Sequence, residues 1–222
     1  MNRIRAGQLL TRNPVNHSQL YRIPLSPDKV DCIVFWTKDP LNLMPHLDEL
    51  DALGYNYYFQ FTLTPYGRDI EPRLRPKDEL TDAFIALSER IGSLRTVWRY
   101  DPIILAGDID INYHREHFAR LCDRLAGERK YADTVVISFV DVYPRIKSDA
   151  IRWLEPDEMR ELAEFIGKTA REHGLKAKSC CEAIDLSEYG IEHGAWISRR
   201  RGISAAAAAA AGASISARIT PA

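Results

Sequence analysis

The chain has 222 residues, with 30 lysines and arginines against 31 aspartates and glutamates and a formal net charge of −1. Such a balance leaves no whole-molecule field to draw the protein to nucleic acid or anionic lipid, although local basic patches are compatible with it. The length suits one well-buried domain, and no apolar run approaches the roughly 20 residues that span a bilayer.

The first elements are two short strands, residues 9–12 and 20–25, joined by a turn through Asn13-Pro14-Val15-Asn16. An apolar run then recurs, each time stopping at polar residues. Its copies are Cys32-Ile33-Val34-Phe35-Trp36 before Thr37-Lys38-Asp39-Pro40, residues 57–63 before Thr64-Pro65-Tyr66-Gly67, Thr96-Val97-Trp98 before Arg99-Tyr100-Asp101-Pro102, and residues 135–140 before Asp141. Helix-patterned segments separate them. Pro40 opens the first, through Leu53, and Gly54 ends it. The second, about 77–91, carries Leu80, Phe84, Leu87 and Ile91 at helical spacing and stops at Gly92. The third, about 113–125, sets Phe118, Leu121, Cys122 and Leu125 on one face, and the fourth, about 156–173, does the same with Met159, Leu162, Phe165 and Ile166. A fifth strand over 175–181 ends at Glu182.

Strand starts separated by whole helices call for parallel crossovers, so the expected fold is α/β: a partial parallel barrel, preceded by a short β excursion. Chemistry in such folds gathers at the carboxyl ends of the strands. Residues 199–201 are three arginines, and from 205 to 211 come seven alanines, followed by a mixture without aromatic, cysteine or acidic residues that cannot bury much surface.

Period-two alternation sorts the candidates for an inward-facing site. Gln60, Thr62 and Thr64 share one side of their strand, Arg99 and Asp101 share one side of theirs, and Ser138 stands just before Asp141. Arg99 and Asp101 read either as a structural ion pair closing the barrel mouth or as catalytic groups, Arg99 gripping an anion and Asp101 taking an amine, hydroxyl or proton. Gln60, Thr62 and Thr64 read as an interior hydrogen-bonded network or a cavity lining. Thr37 and Lys38 stand at the first strand's end, where Lys38 is a ligand-facing residue or, with Asp39, a helix-start charge. Asp141 and Glu182 complete the rim. The loop 64–72, dense in polar groups, is a cover or a plain connection. His114 and His117, three apart near a helix start, lack a third ligand nearby and read as surface residues, and His193 is equally unsupported.

Four cysteines, Cys32, Cys122, Cys180 and Cys181, have no disulfide-framework spacing, which suits reduced thiols. The first ten residues form no signal-peptide h-region, so a cytoplasmic protein is the expectation. The phosphate-binding glycine loops, the H-E-x-x-H zinc motif, the G-x-S-x-G elbow and a three-cysteine cluster are all missing from the sequence.

Val34-Phe35-Trp36-Thr37-Lys38-Asp39-Pro40, residues 55–72, Trp98-Arg99-Tyr100-Asp101-Pro102 and Ile137-Ser138-Phe139-Val140-Asp141 resemble the bacterial family catalogued as domain of unknown function 1848. The resemblance continues through Cys181-Glu182-Ala183-Ile184-Asp185-Leu186 to about Ala195. It implies a barrel like that of radical S-adenosylmethionine enzymes, with a [4Fe-4S] cluster and S-adenosylmethionine in intact relatives. Those relatives usually carry a further N-terminal strand with a Ser-Arg-Arg-Thr-Asp motif and a C-terminal cysteine cluster, and this sequence has neither. The resemblance therefore implies a copy truncated or frameshifted at both ends, with a barrel-like domain over 1–195, a divergent tail over 196–222 and the cluster ligands missing. Two other readings stay open. One is a metal-dependent or cofactor-free lyase, isomerase or hydrolase using Asp101, Asp141, Glu182 and Lys38. The other is a non-enzymatic ligand-binding or DNA-repair accessory barrel, disfavoured by the net charge. A small molecule is the expected partner, and no membrane partner is expected.

Overall fold

A computed structural model describes residues 1–140, 151–180, 182 and 184–194. The chain divides into two compact units, whose described parts are residues 1–34 with 42–58, and 35–41 with 59–194.

The first unit holds a short helix α1 (Asn2–Arg5) and an antiparallel pair, β1 (Gln8–Arg12) and β2 (Leu20–Pro24), in register from Gln8↔Pro24 to Arg12↔Leu20. Asn13 builds the turn between them, its side-chain oxygen accepting from the amides of Val15 and Asn16 at 2.9 and 3.2 Å. Arg5 reaches Glu49 with two bonds of 2.6 and 2.7 Å. The helix expected from Pro40 to Leu53 is shorter: a 3-10 turn at Met44–His46 leads into α2 (Leu47–Ala52). Pro45 is the reason. It has no N–H for a helical bond back to residue 41, so a helix can only begin around it.

Six strands form one parallel sheet flanked by helices, in the order β3 (Ile33–Thr37), β4 (Tyr57–Thr62), β5 (Thr96–Ile103), β6 (Thr134–Phe139), β7 (Lys176–Cys180) and β8 (Ile191–Gly194). Spatial order equals chain order. No closed barrel is found among the described residues, and β3 and β8 stand at the two ends of the order. The alternation says nothing about closure, which depends on pairing between the first and last strands. Strand β8 is the element that sequence pattern passes over: it is four residues long and only Ile191 is buried.

Successive right-handed crossovers in one direction put every connecting helix on the same side of a sheet. Helices α3 (Lys77–Ile91), α4 (Ile111–Ala126) and α5 (Pro156–Glu172) match the expected segments within two residues at each end. Phe61 meets Phe84 of α3 at 5.3 Å between ring centroids, and Trp98 stacks on Phe118 of α4 at 5.2 Å. The Trp98 indole N–H is satisfied by the Leu63 carbonyl at 2.9 Å. Each of these large side chains contributes about 2–3 kcal/mol by leaving water, so the odd-numbered positions of β4 and the even-numbered positions of β5 hold the helices.

His114 is not at the surface. It is fully buried, accepting at Nδ1 from the Tyr100 hydroxyl at 2.9 Å while its Nε2–H donates to the Ile104 carbonyl at 2.8 Å. Burial lowers its pKa, and it is a neutral brace between β5 and α4. His117 instead lies against Tyr113, with ring centroids 4.2 Å apart.

Helix α5 approaches the chain before β8 so closely that a Cβ on Gly167 would stand 2.0 Å from the Tyr189 carbonyl oxygen. Gly167→Ala should therefore cost about 2 kcal/mol or more and lower Tm by roughly 4–8 °C. An unchanged melting curve would show that this contact is not tight.

Candidate functional site

The face of the sheet opposite the helices carries the polar residues. Gln60 and Thr62 on β4 and Arg99 and Asp101 on β5 are all buried, and they form one network. Arg99 donates from Nη1 to Gln60 Oε1 at 2.5 Å and from Nε to Asp101 Oδ2 at 2.8 Å, with Nη2 on the same Asp101 oxygen. Thr62 donates to the other Asp101 oxygen at 3.4 Å and accepts from the Trp36 indole N–H at 3.2 Å. The Trp36 ring, 48% exposed, lies 4.1 Å from the guanidinium carbon. Cys180, at the end of β7, lies in the same cleft lining as that guanidinium.

Burial pulls the Arg99 pKa down, but Asp101 and Cys180 more than offset this, and the net direction is up. The group is a permanent cation whose charge is met by Asp101. Tyr66 steadies the turn after Asp101, donating to the Pro102 carbonyl at 2.7 Å and accepting from the Ile104 amide at 3.2 Å.

A cleft of about 350 Å³ opens at this end of the sheet, lined by Trp36, Lys38, Thr62, Arg99, Asp101, Pro102, Ser138, Phe139, Cys180 and Glu182. Glu182 accepts from the Phe139 amide at 2.8 Å, continuing the β6–β7 edge where the strand register stops at Ile137↔Ser179.

Beside the cleft, Glu71 holds two lysines. Its carboxylate pairs with Lys38 and Lys77 and accepts from the Thr64 hydroxyl at 3.1 Å, while Arg75 reaches Asp39 at 2.8 Å. These bonds latch the loop after β4 to the loop after β3. Burial raises the Glu71 pKa, but the two ammonium groups outweigh it and hold the carboxyl below its usual value. Burial pulls Lys77 down despite Glu71.

Of the ten candidates, Lys38, Thr62, Arg99, Asp101, Ser138 and Glu182 line the cleft, and Gln60 meets it through Arg99. Thr37 does not join them, because its hydroxyl turns back to the Asp39 backbone at 2.9 Å. Thr64 is committed to Glu71. Asp141 lies outside the described residues, as do Cys181 and the tail. Sequence reasoning missed Trp36, Cys180 and Glu71. The first two sit in strands that read as apolar core, while Glu71 stands in the polar loop that read as either a cover or a plain connection.

A family model described as domain of unknown function (DUF1848) matches residues 1–215. The chain belongs to the DUF1848 family. No curated protein and no solved structure matches it.

An iron-sulfur cluster is held by several cysteine thiolates converging on one site. Among the described residues no three His, Cys, Asp or Glu side chains gather into a metal-holding group. Cys122 is sealed in the core, its thiol pushed far up by burial. Cys32 is pushed up to about 11 by burial and the Asp31 charge. Of the three described thiols, Cys180 is the one that lines the cleft.

Two outcomes check this geometry. Asp101→Asn leaves a buried cation without its counter-charge, so it should cost about 3–5 kcal/mol in urea denaturation, with Arg99→Met plus Asp101→Leu recovering most of the loss. If Asp101→Asn is neutral, the pair is more hydrated than the buried network implies. For Glu71 the folded pKa lies below the reference 4.5, so its stabilisation is complete above that pH and lost as pH falls through the folded value. Glu71→Gln should lower stability at pH 7 and flatten the acid limb of the stability–pH profile; an unaltered acid limb would contradict the latch.

Proposed function

We propose that this DUF1848 protein binds a small organic molecule in the cleft at the carboxyl ends of β3 to β7, with S-adenosylmethionine as the first ligand to test. The reading takes the sheet as a section of barrel wall, since its strands follow chain order and ligands of parallel sheets sit beyond the carboxyl ends of the strands. It assigns the binding of a ligand to this chain and derives no step through an iron-sulfur cluster.

One observation carries the reading. A buried guanidinium held by Asp101 and Gln60 faces an open cleft whose volume is at the lower end of the roughly 300–1,000 Å³ range of small-molecule sites. An ion pair kept from water adds little net stability compared with apolar residues of the same shape. Its value lies in holding dipoles and charges at fixed positions, which is what ligand orientation requires. Arg99 and Asp101 orient polar groups of the ligand while Gln60 and Thr62 hold that pair in place. Trp36 offers a ring surface, and Lys38 and Ser138 supply a cation and a hydroxyl at the rim.

Thermal denaturation with S-adenosylmethionine, S-adenosylhomocysteine and a panel of carboxylic and amino acids tests the proposal. A ligand at 100 times its Kd should add about 2.7 kcal/mol. That gain should vanish in the Arg99→Met/Asp101→Leu protein, which keeps the core packed. If S-adenosylmethionine and the panel leave Tm unmoved, or stabilise both proteins equally, the cleft is not the binding site.

A further inference from the structure

The near-neutral charge of the whole chain hides a local asymmetry. Residues 1–27 contain four arginines, Arg3, Arg5, Arg12 and Arg22, and no aspartate or glutamate. Arg5 is neutralised by Glu49, whereas Arg12 and Arg22 stand exposed on the β1–β2 hairpin.

The strand register places them among aliphatic side chains. Leu10 is opposite Arg22 and Arg12 is opposite Leu20, and directly opposite residues share a face of a β-ladder. That face is a checkerboard of two guanidinium groups and two leucines, with Leu10 57% and Leu20 59% exposed. Val15 at the turn is 91% exposed. An isolated two-stranded hairpin is marginal in water, and here its apolar side chains are left uncovered.

The turn supplies acceptors for most of its own amides. Asn13 takes the amides of Val15 and Asn16, Asn16 takes that of Ser18 at 3.3 Å, and Asn13 and Gln19 donate their own amides to the carbonyls of Gln19 and Asn16, each at 3.0 Å. Amides satisfied internally are a requirement for any loop that leaves bulk water.

We propose that the β1–β2 hairpin docks on an anionic lipid surface, with Val15, Leu10 and Leu20 entering the headgroup boundary and Arg12 and Arg22 meeting lipid phosphates. Apolar insertion combined with cationic contact is the chemistry of interfacial anchors. Duplex nucleic acid would engage Arg12 and Arg22 through its phosphates but would leave Leu10, Val15 and Leu20 without an apolar partner.

Co-sedimentation of the full chain with vesicles tests this. Binding is expected to vesicles of phosphatidylcholine with 30% phosphatidylglycerol, to weaken with salt, and to be lost on pure phosphatidylcholine. Arg12→Gln with Arg22→Gln should weaken it about twenty-five-fold, at about a factor of five per arginine. Val15→Asp should weaken it comparably without altering Tm. Three results would overturn the proposal: no binding to the anionic vesicles, binding that persists unchanged in these variants, or duplex DNA binding through Arg12 and Arg22 without vesicle binding.

Discussion

A guanidinium taken out of water is tolerable only where a carboxylate and further acceptors meet it, and the Arg99–Asp101 pair sets that condition for the middle of this sheet. Both residues lie on one strand, two positions apart, so the pair forms as soon as β5 is extended. Its remaining demands fall on neighbours: Gln60 and Thr62 come from β4, Trp36 from β3 and Cys180 from β7. Four strands contribute to the surroundings of the pair. The other face of the same strands is apolar and takes the helices, so a one-residue slip would expose Trp98 and Tyr100 as well as bury the ions against Phe118.

The same division explains the form of the cleft. Arg99 and Trp36 reach across strands to one another, and Lys38, Ser138 and Glu182 line the cleft at the strand ends. Lys38 is drawn to the edge by Glu71, which ties the β3 and β4 loops together. The cleft therefore combines a hydrogen-bonded floor with a rim held by ion pairs, where two ammonium groups hold the Glu71 carboxyl below its usual pKa.

Polar and apolar faces lead to different interaction chemistry in the two units. In the sheet, charged groups are buried, paired and directional. In the hairpin, arginines are exposed beside leucines and the turn closes its own hydrogen bonds. The first arrangement suits a ligand of defined shape, and the second a surface that is charged but laterally fluid.

Much of the architecture was legible in the amino-acid order. Helices α3, α4 and α5 follow from apolar residues at helical spacing with glycine just beyond, and the alternation in β4 and β5 separates Gln60, Thr62, Arg99 and Asp101 from the aromatics, because those periods are local properties of the backbone. What local pattern could not determine was decided by tertiary structure. His114 looked like a surface residue until Tyr100 and the Ile104 carbonyl enclosed it, and Trp36 read as core until its ring covered Arg99. Glu71 acquires its role from two lysines that are 33 and six positions away. The ends of the described sheet and the short strand β8 belong to the same class: pairing at an edge depends on which strands meet in space, and a period of two carries no record of that.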